Sequence, residues 1–145
     1  MPIEVTDING GVINYRYFDE ITDNIDVIEI DCSYKNLTSL PDNITSSMLF
    51  PNLTHFNCSN NKLKSLPDNM TSKMHFPNLI YFDCSRNSLT TLPCNMNSIF
   101  PNLIDFNCNN NKLTALHDNM NYPKMTHFNN CQILKVKFHI KQEML

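Results

Sequence analysis

Leu53-Thr54-His55-Phe56-Asn57-Cys58-Ser59-Asn60-Asn61-Lys62-Leu63 returns as Leu79-Ile80-Tyr81-Phe82-Asp83-Cys84-Ser85-Arg86-Asn87-Ser88-Leu89, and again as Leu103-Ile104-Asp105-Phe106-Asn107-Cys108-Asn109-Asn110-Asn111-Lys112-Leu113. Such self-similarity decides the architecture before local propensity does, because one copy cannot bury its apolar face without its neighbours. A weaker copy precedes these three: Val27, Ile30, Cys32 and Leu37 hold the apolar places, but Lys35 stands where the Asn belongs and Asn36 comes one place late. Another follows, in which Met125 and Phe128 align, Asn130 falls at the Cys place and Cys131 is displaced by one. Starts at Val27, Leu53, Leu79, Leu103 and Met125 are spaced 26, 26, 24 and 22 residues apart.

The stretches between the copies repeat too. Leu40-Pro41-Asp42-Asn43-Ile44, Leu66-Pro67-Asp68-Asn69-Met70, Leu92-Pro93-Cys94-Asn95-Met96 and Leu116-His117-Asp118-Asn119-Met120 open them, and Phe50-Pro51-Asn52, Phe76-Pro77-Asn78, Phe100-Pro101-Asn102 and Tyr122-Pro123-Lys124 close them. Ile44 and Met48, then Met70 and Met74, stand four apart, which turns one apolar side of a short helical segment to the core. Asp or Asn before it suits an N-cap, and Pro after the aromatic residue stops it. Each repeat therefore reads as strand, Asn-bearing turn, short helical or 3₁₀ segment, and return.

The repeated pattern resembles the leucine-rich-repeat family, whose L-x-x-L-x-L-x-x-N-x-L motif it matches with Phe and Cys at two of the Leu places. The resemblance covers about residues 27–130. It implies an α/β fold, a short right-handed solenoid with a parallel sheet on its concave face and short helical or 3₁₀ segments on the convex side. It also implies a non-enzymatic protein-binding module. The Cys-Ser-x-Asn and Leu-Pro-Asp-Asn wording is similar to repeat arrays of giant DNA viruses of amoebae, which suits a chain with 23 Asn, one Ala and two Arg, a composition in the style of an AT-rich genome. On that reading residues 27–124 are the repeats. Residues 1–26 form an N-terminal cap with a β-hairpin around Asn9-Gly10-Gly11. Residues 125–145 hold a degenerate last repeat and a capping strand in which Leu134, Val136, Phe138 and Ile140 alternate with polar residues.

Composition excludes several classes. A chain of 145 residues is one domain by length, and 41% hydrophobic with 17% charged residues is not the composition of a disordered chain. No run approaches the roughly 18 apolar residues of a membrane span, and Met1-Pro2-Ile3-Glu4-Val5 lacks the basic and apolar regions of a secretory signal. The expected location is cytoplasmic, the host cytoplasm for a viral protein. A net charge of −3 argues against nucleic acid as partner.

Six cysteines invite redox or metal chemistry. Cys32, Cys58, Cys84 and Cys108 fall in one inward column, where parallel strands about 4.8 Å apart aim their Cβ atoms the same way rather than at each other. No C-x-x-C spacing occurs, so no metal and no cofactor are expected. Cys94 replaces the Asp of its repeat and is expected outside. With two glycines in so many turns, Asn must supply the left-handed backbone. For Asn61, Asn87 and Asn111 the resemblance implies side chains that bond neighbouring turns in a ladder.

Function is expected on the outward strand rows. The first is Glu29, His55, Tyr81, Asp105 and His127; the second is Asp31, Asn57, Asp83, Asn107 and Asn129; the third is Ser33, Ser59, Ser85 and Asn109, with Tyr34, Asn60, Arg86 and Asn110 beside it. The candidate partner-binding residues are Glu29, Asp31, His55, Asn57, Tyr81, Asp83, Arg86, Asp105, Asn107 and His127. Tyr and Arg are enriched among interface hot spots, and a basic or polar protein surface is the fitting partner. A solvated sheet face is polar in any case, which is the competing reading. Glu29 beside His55, and Asp105 beside His127, with Ser85 as an imaginable nucleophile, are the only enzyme-like pairings. An open sheet gives them no water-excluding pocket, so no catalytic residue is expected. The other function class is a structural or self-assembling, homo-oligomeric protein, in which an end cap or strand edge pairs with its twin.

Overall fold

The computed structural model describes residues 2–17, 20–21, 26–40, 50–66, 76–94, 96–115 and 124–129. Seven strands form one sheet: β1 (Ile3–Asp7), β2 (Val12–Tyr15), β3 (Val27–Asp31), β4 (His55–Asn57), β5 (Tyr81–Asp83), β6 (Asp105–Asn107) and β7 (His127–Asn129), in the order β2-β1-β3-β4-β5-β6-β7. β3 to β7 run parallel, with Glu29, His55, Tyr81, Asp105 and His127 directly beside one another. β1 is antiparallel to both β2 and β3. One strand per repeat in unshifted register is what a sequence period with a fixed apolar pattern demands. A slip of one residue would carry every core side chain to the outer face.

β4, β5 and β6 each send one large residue inward. Phe56, Phe82 and Phe106 are fully buried and stack in a file, with ring centroids 5.7 and 5.6 Å apart and planes within 12° and 5°. Phe76 and Phe100 from the closing Phe-Pro-Asn segments pack against that file at 5.3–6.4 Å. Leu53, Leu79 and Leu103 at the repeat starts and Leu63 and Leu89 at their ends complete the core. The four column cysteines are buried free thiols and Cys94 is exposed. Burial pushes the thiols of Cys32, Cys58 and Cys84 strongly upward and that of Cys108 to about 12, so they are protonated packing groups at neutral pH.

The turns after the strands explain the Asn content. Asn36, Asn60 and Asn110 take positive φ of 58°, 55° and 56°. Asn36 is thus not a misplaced ladder residue but an additional left-handed one. Tyr34 and Arg86 take the same conformation, at φ 56° and 52°, although their Cβ atoms crowd the carbonyl there at a cost of about 1–2 kcal/mol. Arg86→Asn is therefore expected to raise stability in urea by about 0.5–1 kcal/mol; a variant no more stable than the parent would contradict the strain.

α1 (Met96–Ile99) is the helix among the described residues. Met96 and Ile99 are buried, and the Phe100 N–H closes the turn on the Met96 carbonyl at 2.8 Å. The corresponding segments at Ile44–Met48, at Met70–Met74 and after Leu116 lie outside the described residues, as do Cys131 and the alternating run from Leu134. At the other end the Asp7 carboxylate accepts the N–H groups of Asn9 and Gly11 at 2.8 and 2.9 Å, and Gly10 turns the chain at φ 79°. A Cβ on Gly11 would come within 2.7 Å of that carboxylate.

Candidate functional site

Behind the strands, buried Asn side chains join the repeats. The Asn61 amide nitrogen donates to the carbonyls of Cys32, Cys58 and Ser59 at 2.9–3.2 Å, and its Oδ1 accepts the N–H groups of Lys35 and Leu37 at 3.0 Å. Asn87 repeats this one rung on, donating to Cys58, Cys84 and Ser85 and accepting from Leu63. Asn111 repeats it again with Cys84, Cys108, Asn109 and Leu89. The first repeat manages with Lys35 because the bonding Asn comes from the repeat after it. The sequence reading missed a second ladder: Asn78 donates to the Pro51 carbonyl at 2.9 Å, Asn102 to the Pro77 carbonyl at 2.6 Å, and the Lys124 ammonium to Asn102 Oδ1 at 2.6 Å. Its signal is the recurring Asn or Lys after each Pro, at Asn52, Asn78, Asn102 and Lys124.

The outward residues divide into two sets. Asp31, Asn57, Asp83 and Asn107 each turn Oδ1 back to the N–H two residues on, at 2.7–3.2 Å, an Asx turn that starts the bend. Their free ends pair across strands, Asn57 donating to Asp31 at 3.1 Å and Asn107 to Asp83 at 3.0 Å. Asp83 is only 9% exposed. These four side chains thus shape the bends and tie β3 to β4 and β5 to β6.

The third row was expected outside, and here the structure corrects the expectation: Ser59 and Ser85 are buried, at 5% and 6% exposure. Backbone pairing continues past the short strands, with Asn60 N–H on the Ser85 carbonyl at 3.0 Å and Arg86 N–H on the Asn109 carbonyl at 2.8 Å, and this draws the serines into the sheet edge. Ser85 is thus no accessible nucleophile. Arg86 sits beyond the strand end at the left-handed bend, exposed.

The first row keeps its chemistry available. Glu29, His55 and His127 are exposed and Tyr81 and Asp105 half-buried. His55 stacks on Tyr81 with centroids 5.7 Å apart. Thr54 Oγ1 donates to the Ile28 carbonyl at 2.9 Å and lies 2.9 Å from His55 Nδ1, which fixes the ring beside it. His127 rests on Thr126 Oγ1 at the same distance. The Tyr81 hydroxyl donates to Asp83 at 3.3 Å, and burial together with that carboxylate pushes its pKa up to about 12. Tyr81 therefore presents a neutral, fixed ring between His55 and Asp105.

Glu29 neighbours His55 and Asp105 neighbours His127 in the ladder, but the two imidazoles are three strands apart, about 14 Å. Among the described residues no group of three His, Cys, Asp or Glu side chains converges as metal ligands, and no helix is long and apolar enough to cross a membrane.

No family model matches the chain, and no curated protein does. Among solved structures, a leucine-rich-repeat protein of Leptospira interrogans resembles it with a TM-score of 0.55 at 22% sequence identity, over 80% of this chain and 35% of that one. The chain thus spans about a third of the length of that protein. Repeat period, parallel register and this likeness agree on one architecture: the chain has a leucine-rich-repeat fold.

Proposed function

We propose that the chain is a non-enzymatic protein-interaction module that docks a protein partner on the outward, concave face of its sheet. The supporting observation is the division of labour on that face: one row is consumed by the fold, while Glu29, His55, Tyr81, Asp105 and His127 beside it make varied chemistry available. The second-row candidates Asp31, Asn57, Asp83 and Asn107 are taken up by Asx turns and cross-strand pairs, Asp83 also holds the Tyr81 hydroxyl, and Arg86 stands at the rim. With Glu29 and Asp105 as its charges, the row fits a basic or polar protein surface, with Tyr81 as the central anchor. Neither nucleic acid, membrane nor cofactor enters this reading.

In this reading the scaffold is a short right-handed solenoid with helical or 3₁₀ segments on its convex side and an N-terminal cap in residues 1–26, which α1 and the β1–β2 hairpin support. Buried thiols suit a reducing compartment, hence the cytoplasm. The AT-rich composition accords with a viral source and a host cytoplasm.

Tyr81→Ala with Asp105→Lys tests the site without touching the Asx turns, which Asp83 substitutions would break. Affinity capture by the parent and by an Asn78→Ala control should recover the same protein, and the double variant should lose it with an unchanged melting temperature. Undiminished capture by the double variant would reject the face.

A further inference from the structure

β2 ends the sheet, and no described residue pairs with its outer edge. The ladder shows which backbone groups face that edge. Asp7 N–H donates to the Gly11 carbonyl at 3.0 Å, so in the β1–β2 register the Val5–Ile13 and Ile3–Tyr15 pairs also exchange hydrogen bonds. Val12 and Asn14, between them, turn their N–H and C=O groups outward. Val12 and Ile13 are 58% and 49% exposed, and Ile8 and Tyr17 nearby are 54% and 56% exposed; these are four of the six exposed large hydrophobic residues described. Ile13 and Tyr15 lie beside the buried Val5 and Ile3, so the apolar core runs out to this edge. The four residues of β2 include no Lys and no Pro, two of the devices that ordinarily keep an edge from pairing.

We infer that this edge is the docking surface for a second copy of the chain, β2 pairing antiparallel with β2 about a two-fold axis. An axis normal to the sheet keeps core face beside core face only when residues of equal parity oppose one another. Centred on Ile13, the register sets Val12 opposite the second copy's Asn14, and these pairs use every outward N–H and C=O of both strands. Ile13 meets its twin at the closer, non-hydrogen-bonded spacing of about 4.5 Å, on the core face. Tyr15 covers Gly11, which has no side chain of its own. Arg16 comes alongside the Asp7–Gly11 turn of the second copy, cation beside carboxylate, twice by symmetry. Centring on Asn14 instead would oppose Val12 to Arg16, whose N–H already donates to the Glu20 carboxylate at 2.8 Å, and would leave a Val12 carbonyl without its donor.

Sedimentation velocity of the full chain is the test. Between roughly 10 μM and 1 mM the mass should move reversibly from 16.8 kDa toward twice that value. Asn14→Pro removes an N–H that no described residue accepts, and Ile13→Lys sets two ammonium groups against each other on the axis. Both should stay monomeric at the highest concentration with the parent's circular dichroism. Tyr81→Ala with Asp105→Lys should dimerise like the parent, which separates this interface from the outward face. A parent monomeric throughout overturns the proposal, as does a dimer that survives Asn14→Pro. If the edge variants lose their fold, amide exchange of the parent decides: the Val12 and Asn14 amides should gain protection with concentration, and unchanged exchange overturns it.

Discussion

Phe82→Ala should cost about 4 kcal/mol in urea-induced unfolding, the largest loss expected from any single substitution in the sheet. Phe82 is fully buried and its ring lies 5.7 Å from Phe56, 5.6 Å from Phe106 and 5.3 Å from Phe100. Truncation removes the transfer energy of the ring and also leaves a cavity whose walls belong to three repeats. In a repeat fold each unit is stabilised mainly by its neighbours, so a hole at the central strand weakens two interfaces at once. Phe128→Ala, on the last described strand and half-buried, should cost clearly less. A Phe82→Ala protein within about 1 kcal/mol of the parent would mean that the file of rings is not what holds the repeats together.

Asn87→Ala should cost about 3 kcal/mol. Its amide serves the carbonyls of Cys58, Cys84 and Ser85 at 3.0–3.2 Å and accepts the Leu63 N–H at 3.0 Å. The Cys58 and Cys84 carbonyls keep a bond from Asn61 and Asn111 respectively, but the buried Leu63 N–H loses its acceptor, and that is the expensive part. Asn78→Ala breaks one exposed bond to the Pro51 carbonyl and should lose about 1 kcal/mol or less. The ranking is the test: equal losses for the two variants in parallel urea titrations would sink the ladder.

The recurrence of Asn61, Asn87 and Asn111 at the same bend was legible in the sequence, while their bonding as a ladder was an expectation that came with the resemblance to leucine-rich repeats. The outward rows were less legible. His55, Asn57, Tyr81 and Asp83 all alternate with buried residues, and alternation reports which way a side chain points but not whether its polar end is already bonded. The Asx turns of Asp31, Asn57, Asp83 and Asn107 became visible only with the path of the bend. So did the burial of Ser59 and Ser85, because a hydrogen-bonded ladder that outlasts the strand pattern leaves no mark in hydropathy. Tyr34 and Arg86 at left-handed φ run against local preference, and the backbone bonds that their N–H groups make to the next repeat, to the Ser59 and Asn109 carbonyls, fix that path.

The sequence by itself determined the period, the inward columns of Phe, Leu and Cys, and the need for Asn in left-handed turns, since each follows from one-dimensional spacing and the intrinsic preferences of single residues. Tertiary structure decided which outward side chains remain available, because that depends on where the backbone bends after each strand and on cross-strand pairs such as Asn57 to Asp31 and Asn107 to Asp83, 26 and 24 positions apart. Those partners come together only when one repeat lies on the next.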